Sequence, residues 1–271
     1  MITGREGAFI IDEVSSLDNR SDISEMKKLR LKNPKNIIFS YLYINSVRNK
    51  FQNMSSLISE NVDILIVAET KLDSSFPTTQ FVIPGFHHPF RLDINRRSGG
   101  LLVYVKGSIP ARVLTSFSTP ADTQTIVFEI NLRKEKWLFV AIYKPPSLNS
   151  QYFLDTLSDL LDFYSNHYDN KVILGDFNLK PTDPLIMTFL NEHNLINLIK
   201  NSTCFKGEGS CIDLILTNRK FSFKNSTSFE TGLSDHHHLI YSMLKTTFHK
   251  EEPKTLIYRD YKTFSDRKSV V

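Results

Sequence analysis

Lys171-Val172-Ile173-Leu174-Gly175-Asp176-Phe177-Asn178 sets three consecutive β-formers ahead of a glycine, then a carboxylate and a carboxamide two residues apart. Such a run reads as a buried strand that delivers an acceptor and an amide to a loop at its carboxyl end. In α/β sheets that end is where ligands bind. Gly-Asp-x-Asn is equally good turn chemistry, because these residues tolerate tight bends and cap backbone groups. The choice between the two rests on the rest of the chain, where four other stretches also end in polar residues of complementary chemistry.

Working back from that stretch, Ser150–His167 carries Phe153, Leu154, Leu157, Leu160, Leu161 and Tyr164 at helical spacing. Before it, Lys136–Tyr143 reads as a strand that stops at Lys144-Pro145-Pro146, with Tyr143 at its carboxyl end. Thr125–Ile130, Ala111–Thr115 and Gly99–Val105 read as further strands. Residues 70–98 hold Pro77, Pro84, Gly85 and Pro89 and predict a long excursion over the top of the sheet. Asp63–Ala68 is a strand ending on Glu69, and Phe51, Met54, Leu57 and Ile58 predict a helix of about three turns starting near Arg48. Asn36–Ile44 is almost continuously apolar, as a strand covered on both faces should be, and runs into Asn45. Residues 1–34 are polar, with a possible short helix near Ile23–Leu31, and predict a loosely ordered arm outside the core.

Forward of Asn178, Pro184–Glu192 predicts a helix opened by a proline. Thr203–Phe205, Cys211–Thr217, Phe221–Phe229 and His237–Leu244 complete the strands. From His249 the chain is charged and aperiodic, so 248–271 reads as a linker or a cut end and 35–247 as the domain. Roughly ten strands and three helices, some strands adjacent and others helix-linked, predict an α/β fold of mixed sheets with helices on the outer faces.

A chain of 271 residues, 41% hydrophobic and 23% charged, suits one globular domain. The net charge of +4 fits a polyanionic partner without demanding one. Two cysteines, Cys204 and Cys211, argue against a disulfide framework or a thiolate zinc site. No run has the length of a membrane-spanning helix, and Gly7–Ile11 is too short for a signal-peptide core, so the chain reads as intracellular.

Asn45, Glu69, Tyr143, Asp176, Asn178, Asp213 and Ser234-Asp235-His236 all fall at strand ends or in loops. Phosphoester hydrolysis needs a hard metal held by few carboxylates, an acceptor for a proton from water, and donors to the charge growing on phosphate. Glu69 suits Mg²⁺, which keeps most of its waters; the alternative is a solvated glutamate after a strand. Asp235-His236 pairs a possible metal or water ligand with an imidazole, which Asp213 could orient; a strand aspartate bonded to a nearby amide is the plainer reading of Asp213. The triple His236-His237-His238 does not suit one zinc ion, because consecutive strand side chains point to opposite faces. Arg96, Arg97, Lys106, Lys144, Lys206, Arg219 and Lys220 lie in or near loops that could meet phosphates.

The ordered series Asn45–Lys50, Ala68-Glu69-Thr70, Arg97–Val105, Tyr143-Lys144-Pro145-Pro146, Gly175–Asn178, Cys211–Ile215 and Ser234-Asp235-His236 resembles the endonuclease/exonuclease/phosphatase superfamily, and within it the apurinic-like endonuclease domain of non-LTR (LINE-type) retrotransposons. The resemblance covers about residues 35–247. It implies a four-layer α/β sandwich of two mixed sheets and a Mg²⁺-dependent phosphodiesterase, with Mn²⁺ as the other candidate ion, that nicks DNA. By that likeness Asp176 positions or deprotonates the attacking water and Asn178 supports it. Glu69 binds the metal, with Asn45 and Asp235 beside metal and water. His236, oriented by Asp213, contacts the scissile phosphate, and Tyr143 stabilises it. Thr203 and Ser234 match supporting hydroxyl positions. A monomer acting on DNA, without a membrane and with nuclear access, is expected.

The family usually reads Asn-x-Asn at the end of the first strand, where this chain has Tyr43-Ile44-Asn45. Retrotransposon proteins of this type continue into a reverse transcriptase, so the likeness implies a fragment or a decayed copy. Two rivals remain open: an inositol-phosphate or phospholipid phosphatase on the same scaffold, and a catalytically impaired DNA-binding relic in which Tyr43 blocks the site.

Overall fold

Alternation along the strands sorts the apolar residues into three layers, two between a sheet and its helices and one between the sheets. The computed structural model describes residues 25–132, 135–205 and 209–247. The chain runs through helix α1 (25–32), strand β1 (Asn36–Tyr43), α2 (Phe51–Ile58), β2 (Ile64–Ala68), β3 (Phe90–Leu92), β4 (Leu101–Val105), β5 (Ala111–Val113), β6 (Gln124–Leu132) and β7 (Glu135–Tyr143). There follow α3 (Ser150–Ser165), β8 (Asn170–Asp176), α4 (Pro184–Glu192), β9 (Ile196–Asn197), β10 (Asp213–Thr217), β11 (Phe223–Phe229) and β12 (Leu239–Thr247).

Two six-stranded sheets result, ordered β11-β12-β1-β2-β4-β3 and β5-β6-β7-β8-β10-β9. Each holds one parallel pair, β1 with β2 and β7 with β8, and every other pairing is antiparallel. Helix α2 makes the first parallel crossover and α3 the second, as parallel neighbours require.

Along β1, Ile37, Phe39 and Tyr41 face the second sheet while Ile38 and Leu42 face the helices. Likewise Trp137, Phe139, Ala141 and Tyr143 of β7 point inward, and Leu138, Val140 and Ile142 pack under α3. Met54, Leu57 and Ile58 of α2 close the first outer layer, and Phe153, Leu157, Leu160 and Ile186 of α3 and α4 close the second. The mixed sheets with outer helices are those the strand and helix pattern predicts, and the four-layer α/β sandwich is the one the resemblance implies.

Four local expectations are corrected. Helix α2 spans eight residues rather than three turns. The excursion over 70–98 contains the short edge strand β3, and Thr203–Phe205 makes only isolated bridges through Cys204. The stretch 25–34, expected outside the core, docks on it: Met26 is buried against the outer face of the first sheet. There Arg30 donates to the carbonyls of Asn36 and Asn61 and pairs with Asp63. Buried Met26, with Leu29 packed beside it, and partly buried Arg30 anchor a segment whose composition otherwise reads as solvated. The rest of the expected arm, and 248–271, lie outside the described residues.

Candidate active site

The period of two that builds the core also builds the site. Tyr143 and Asp176 end the inward-facing rows of β7 and β8, and Asp213 opens that of β10. Register sets Tyr143 beside Asp176, and Asp176 beside Asp213. Across the gap between the sheets, Tyr43 ends the inward row of β1 and is paired with Ala68, after which comes Glu69. One end of the inter-sheet layer is therefore apolar rows terminating in oxygen.

Asp176 and Asp213 are directly opposite on antiparallel strands and are 1% and 0% exposed. Like charges so placed repel, and burial deprives both of water. The Asp176 carboxyl is accordingly pushed well above the usual carboxylate range, first by burial and then by Asp213. Asn178 opposes this: its backbone N–H donates to Asp176 Oδ1 at 2.8 Å and its side-chain amide reaches Oδ2 at 3.3 Å and the Lys144 carbonyl at 2.7 Å. Asp213 Oδ1 is buried with no hydrogen-bond partner. An orphaned carboxylate oxygen beside a second carboxylate is a place for a cation or a proton.

Gly175 is needed for this approach. Its φ is +154°, and a Cβ there would collide with the carbonyl of Ile142 on β7. Three other site residues leave their strands in left-handed conformations: Asn45 (φ 49°), Glu69 (φ 56°) and Asn178 (φ 48°). Asparagine tolerates that region, whereas glutamate does so at a cost, which marks the turn after β2 as strained.

Glu69, 4% exposed, accepts from the Gly99 N–H at 2.9 Å, and the ionisation of the nearby Tyr143 phenol is pushed far up, first by burial and then by the Glu69 carboxylate. The Lys71 ammonium lies 2.5 Å from Asn45 Oδ1 and 3.8 Å from Glu69 Oε2. The Asn45 amide donates to Asp235 Oδ2 at 2.7 Å, and Lys50 stands 3.6 Å from the other oxygen of that carboxylate. These two neighbours hold the Asp235 carboxyl below its usual range, the Asn45 bond contributing most.

The imidazole bound to Asp213 is that of His237, not His236 as the Ser-Asp-His spacing predicts. His237 Nδ1 lies 2.9 Å from Asp213 Oδ2, whereas His236 is exposed. The reason is backbone pairing. Cys204 bridges His237, Phe205 N donates to the His236 carbonyl, and His238 N donates to the Thr203 carbonyl. In that extended stretch alternate side chains face opposite ways, so only the middle histidine of the three turns in. His238 instead stacks on Phe205, with ring centroids 4.0 Å apart.

Thr203 and Ser234 serve these positions directly. Thr203 Oγ1 accepts from the backbone N–H groups of Ile212 and Asp213, and Ser234 Oγ accepts from His237 N. Tyr43 lies flat on His237, with ring centroids 4.1 Å apart and planes 17° apart. Asp176, Asp213 and His237 each offer a ligand atom within 4.8 Å of the others, a group that could hold a metal ion.

Of the basic residues expected to flank the site, Lys144 is beside Asp176, with its amine held below the usual lysine range by burial. Lys106 and Arg219 are at the opposite end, on Asp63 and Asn170, and Arg96 pairs with Asp73 in the excursion. His237, Lys50 and Lys71 were not singled out by sequence. Lys71 could have been, since it follows Glu69 by two residues.

The sequence profile of the Endonuclease/Exonuclease/phosphatase family matches residues 43–236. Similar solved structures include the 3′ phosphatase NExo from Neisseria bound to product DNA hairpin, 16% identical, covering 77% of this chain and 99% of that one (TM-score 0.61). The endonuclease domain of TRAS1, a telomere-specific non-LTR retrotransposon, is 13% identical over 77% of this chain and 98% of that one (TM-score 0.61). An AP endonuclease from Archaeoglobus fulgidus is 15% identical over 77% and 99% (TM-score 0.61). No curated protein sequence matches the chain.

Proposed function

This chain belongs to the endonuclease/exonuclease/phosphatase family, and on that premise we propose that it is a divalent-metal-dependent phosphodiesterase that nicks DNA, of the kind carried by non-LTR retrotransposons. The observation that carries the reading is the Asp176–Asp213–His237 cluster, in which a buried carboxylate oxygen has no partner and a second carboxyl is forced up beside it. The likeness to the TRAS1 domain supports the retrotransposon assignment, together with the Arg97–Val105 and Tyr-Lys-Pro-Pro stretches.

The residues fit a hard cation such as Mg²⁺ or Mn²⁺. Its ligands would come from Glu69, with Asn45 and Asp235 beside it; oxygens of Glu69 and Asn45 already converge on the positive charge of Lys71. When bound, the ion would neutralise charge growing on the phosphate and the leaving oxygen.

The chain's own groups divide the remaining work. Asp176 is the acceptor for the proton of the attacking water, and a raised carboxyl is better matched to that task than an ordinary one. Asn178 fixes the Asp176 carboxylate from two sides, so the acceptor does not rotate as the proton arrives. With Nδ1 committed to Asp213, the His237 ring presents Nε2 to the phosphate, and when charged it donates there. The Tyr143 phenol, kept protonated by burial and by the neighbouring Glu69 carboxylate, would donate to the phosphate. Exposed Phe205, packed on His238, gives a flat apolar surface beside the cut for a base or sugar.

Nicking of supercoiled plasmid tests the proposal. Open circles should form with Mg²⁺, vanish with EDTA, and be absent with Asp176→Ala; nicking that survives EDTA overturns it.

A further inference from the structure

We infer that Tyr43 is a positioning residue: by lying against one face of His237 it fixes the plane of the imidazole that Asp213 holds by Nδ1, so that Nε2 points one way. The inference rests on the phosphodiesterase reading of the cleft, which makes the direction of Nε2 matter.

A single hydrogen bond at Nδ1 sets the ring plane only softly, because hydrogen bonds tolerate tens of degrees of misalignment and the two side-chain torsions of His237 can drift within that range. A second constraint, acting on the ring face, sharpens it. The only aromatic ring stacked on His237 among the described residues is that of Tyr43, nearly parallel at 4.1 Å. Offset or parallel contact of this kind is specific in geometry as well as favourable in area.

Tyr43 is itself held. It closes β1, whose backbone is bonded to β2 on one side, and its ring leans on Tyr143 at 6.2 Å. The histidine side chain is only 10% exposed. Its main chain is pinned as well, by Ser234 Oγ and by the bridge to Cys204. A ring that merely plugged the mouth of the cleft would have no reason to lie flat on the one imidazole that Asp213 selects from three neighbours. An amide in place of the phenol ring could not cover the imidazole face. On this view Tyr43 is part of the working arrangement rather than an obstruction in it.

The experiment uses the whole chain and reads steady-state cleavage of a DNA duplex. Y43F keeps the stack and should match the wild type in kcat and KM. Y43A should lose roughly 10–100-fold in kcat with KM nearly unchanged, the usual cost of a misplaced catalytic group. In an H237A background the Y43A change should cost nothing more, since Tyr43 acts through that ring. A full additional loss in H237A, or a gain of activity in Y43A or Y43N, overturns the inference.

A chain with no metal-dependent cleavage at all would sink the function reading rather than this one, and the stack is then read directly. In ¹H–¹³C spectra of histidine-labelled protein, His237 ring protons should show an upfield ring-current displacement, kept in Y43F and lost in Y43A. Identical His237 signals in the wild type and Y43A overturn the inference without reference to activity.

Discussion

The two ends of the sandwich handle buried carboxylates in opposite ways. At the amino ends of β1 and β2, Asp63 is answered on every side: Arg30 and Lys106 pair with it, and the Ile38 N–H donates to it at 2.8 Å. The Arg30 guanidinium is equally spent, on Asp63 and on the carbonyls of Asn36 and Asn61. At the opposite end of the sandwich, where β8 stops and β10 begins, Asp176 faces Asp213 with a depressed lysine nearby and one carboxylate oxygen unpartnered. A cavity of about 630 Å³ lies at the satisfied end, lined by Arg30, Lys35, Asp63 and Lys106. Volume therefore does not locate the chemistry here. Charge left uncompensated does, because a fold tolerates it only where something else is to be bound or moved.

The largest effect that would break this contrast is on activity. Asp176→Asn removes the proposed proton acceptor and should lower nicking at least about 10³-fold, while an Asp63→Asn chain below its melting temperature should cleave normally. Equal losses in the two variants would mean that the ends do not differ in role. Gly175→Ala comes next. Its Cβ would strike the Ile142 carbonyl in a conformation that suits glycine, so β8 must part from β7 just where Asp176 leaves it. A destabilisation on the order of 3 kcal/mol in urea unfolding, with loss of nicking, is expected.

Asp63→Ala strands Arg30 and Lys106 and should cost roughly 2–3 kcal/mol, somewhat less than a fully buried pair because Lys106 is partly exposed. The smallest effect has the opposite sign. The Asp176 carboxyl is raised in the folded protein, so folding favours its protonated form. The penalty for its charge is absent below the ordinary carboxylate range, grows as pH rises toward the raised value, and is complete above it. Asp176→Asn, measured in EDTA, should therefore melt a few degrees higher than the wild type at neutral pH. The two should converge in acid. An Asp63→Asn chain should show no such gain, which is the sharpest form of the comparison.

Much of this was legible in the sequence because the site is continuous with the core. Inward residues at every second position of β1, β7, β8 and β10 lead to Tyr43, Tyr143, Asp176 and Asp213, so a correct strand reading carries the oxygens to one place. What was not legible depends on backbone partners far away in sequence. Which histidine of three turns inward is decided by Thr203, Cys204 and Phe205, some thirty residues earlier, and spacing alone pointed to His236. The docking of α1 depends on Arg30 finding Asp63 across β1 and α2. Strands β3 and β9, three and two residues long, are too short to impose a period. Tyr43 read as a departure from the family pattern; only its stacking partner gives it a use.

The order of strands in the first sheet also sets a timetable for synthesis. Strand β12, last in the chain among the described strands, lies between β11 and β1, the first. Until β12 has left the ribosome, β1 has an open edge and His237 has not yet reached Asp213. Domains close only when such distant contacts are available, and those contacts come late. The cluster of Asp176, Asp213 and His237 is thus completed only as the closing strand arrives, so a partly made chain lacks it by topology alone.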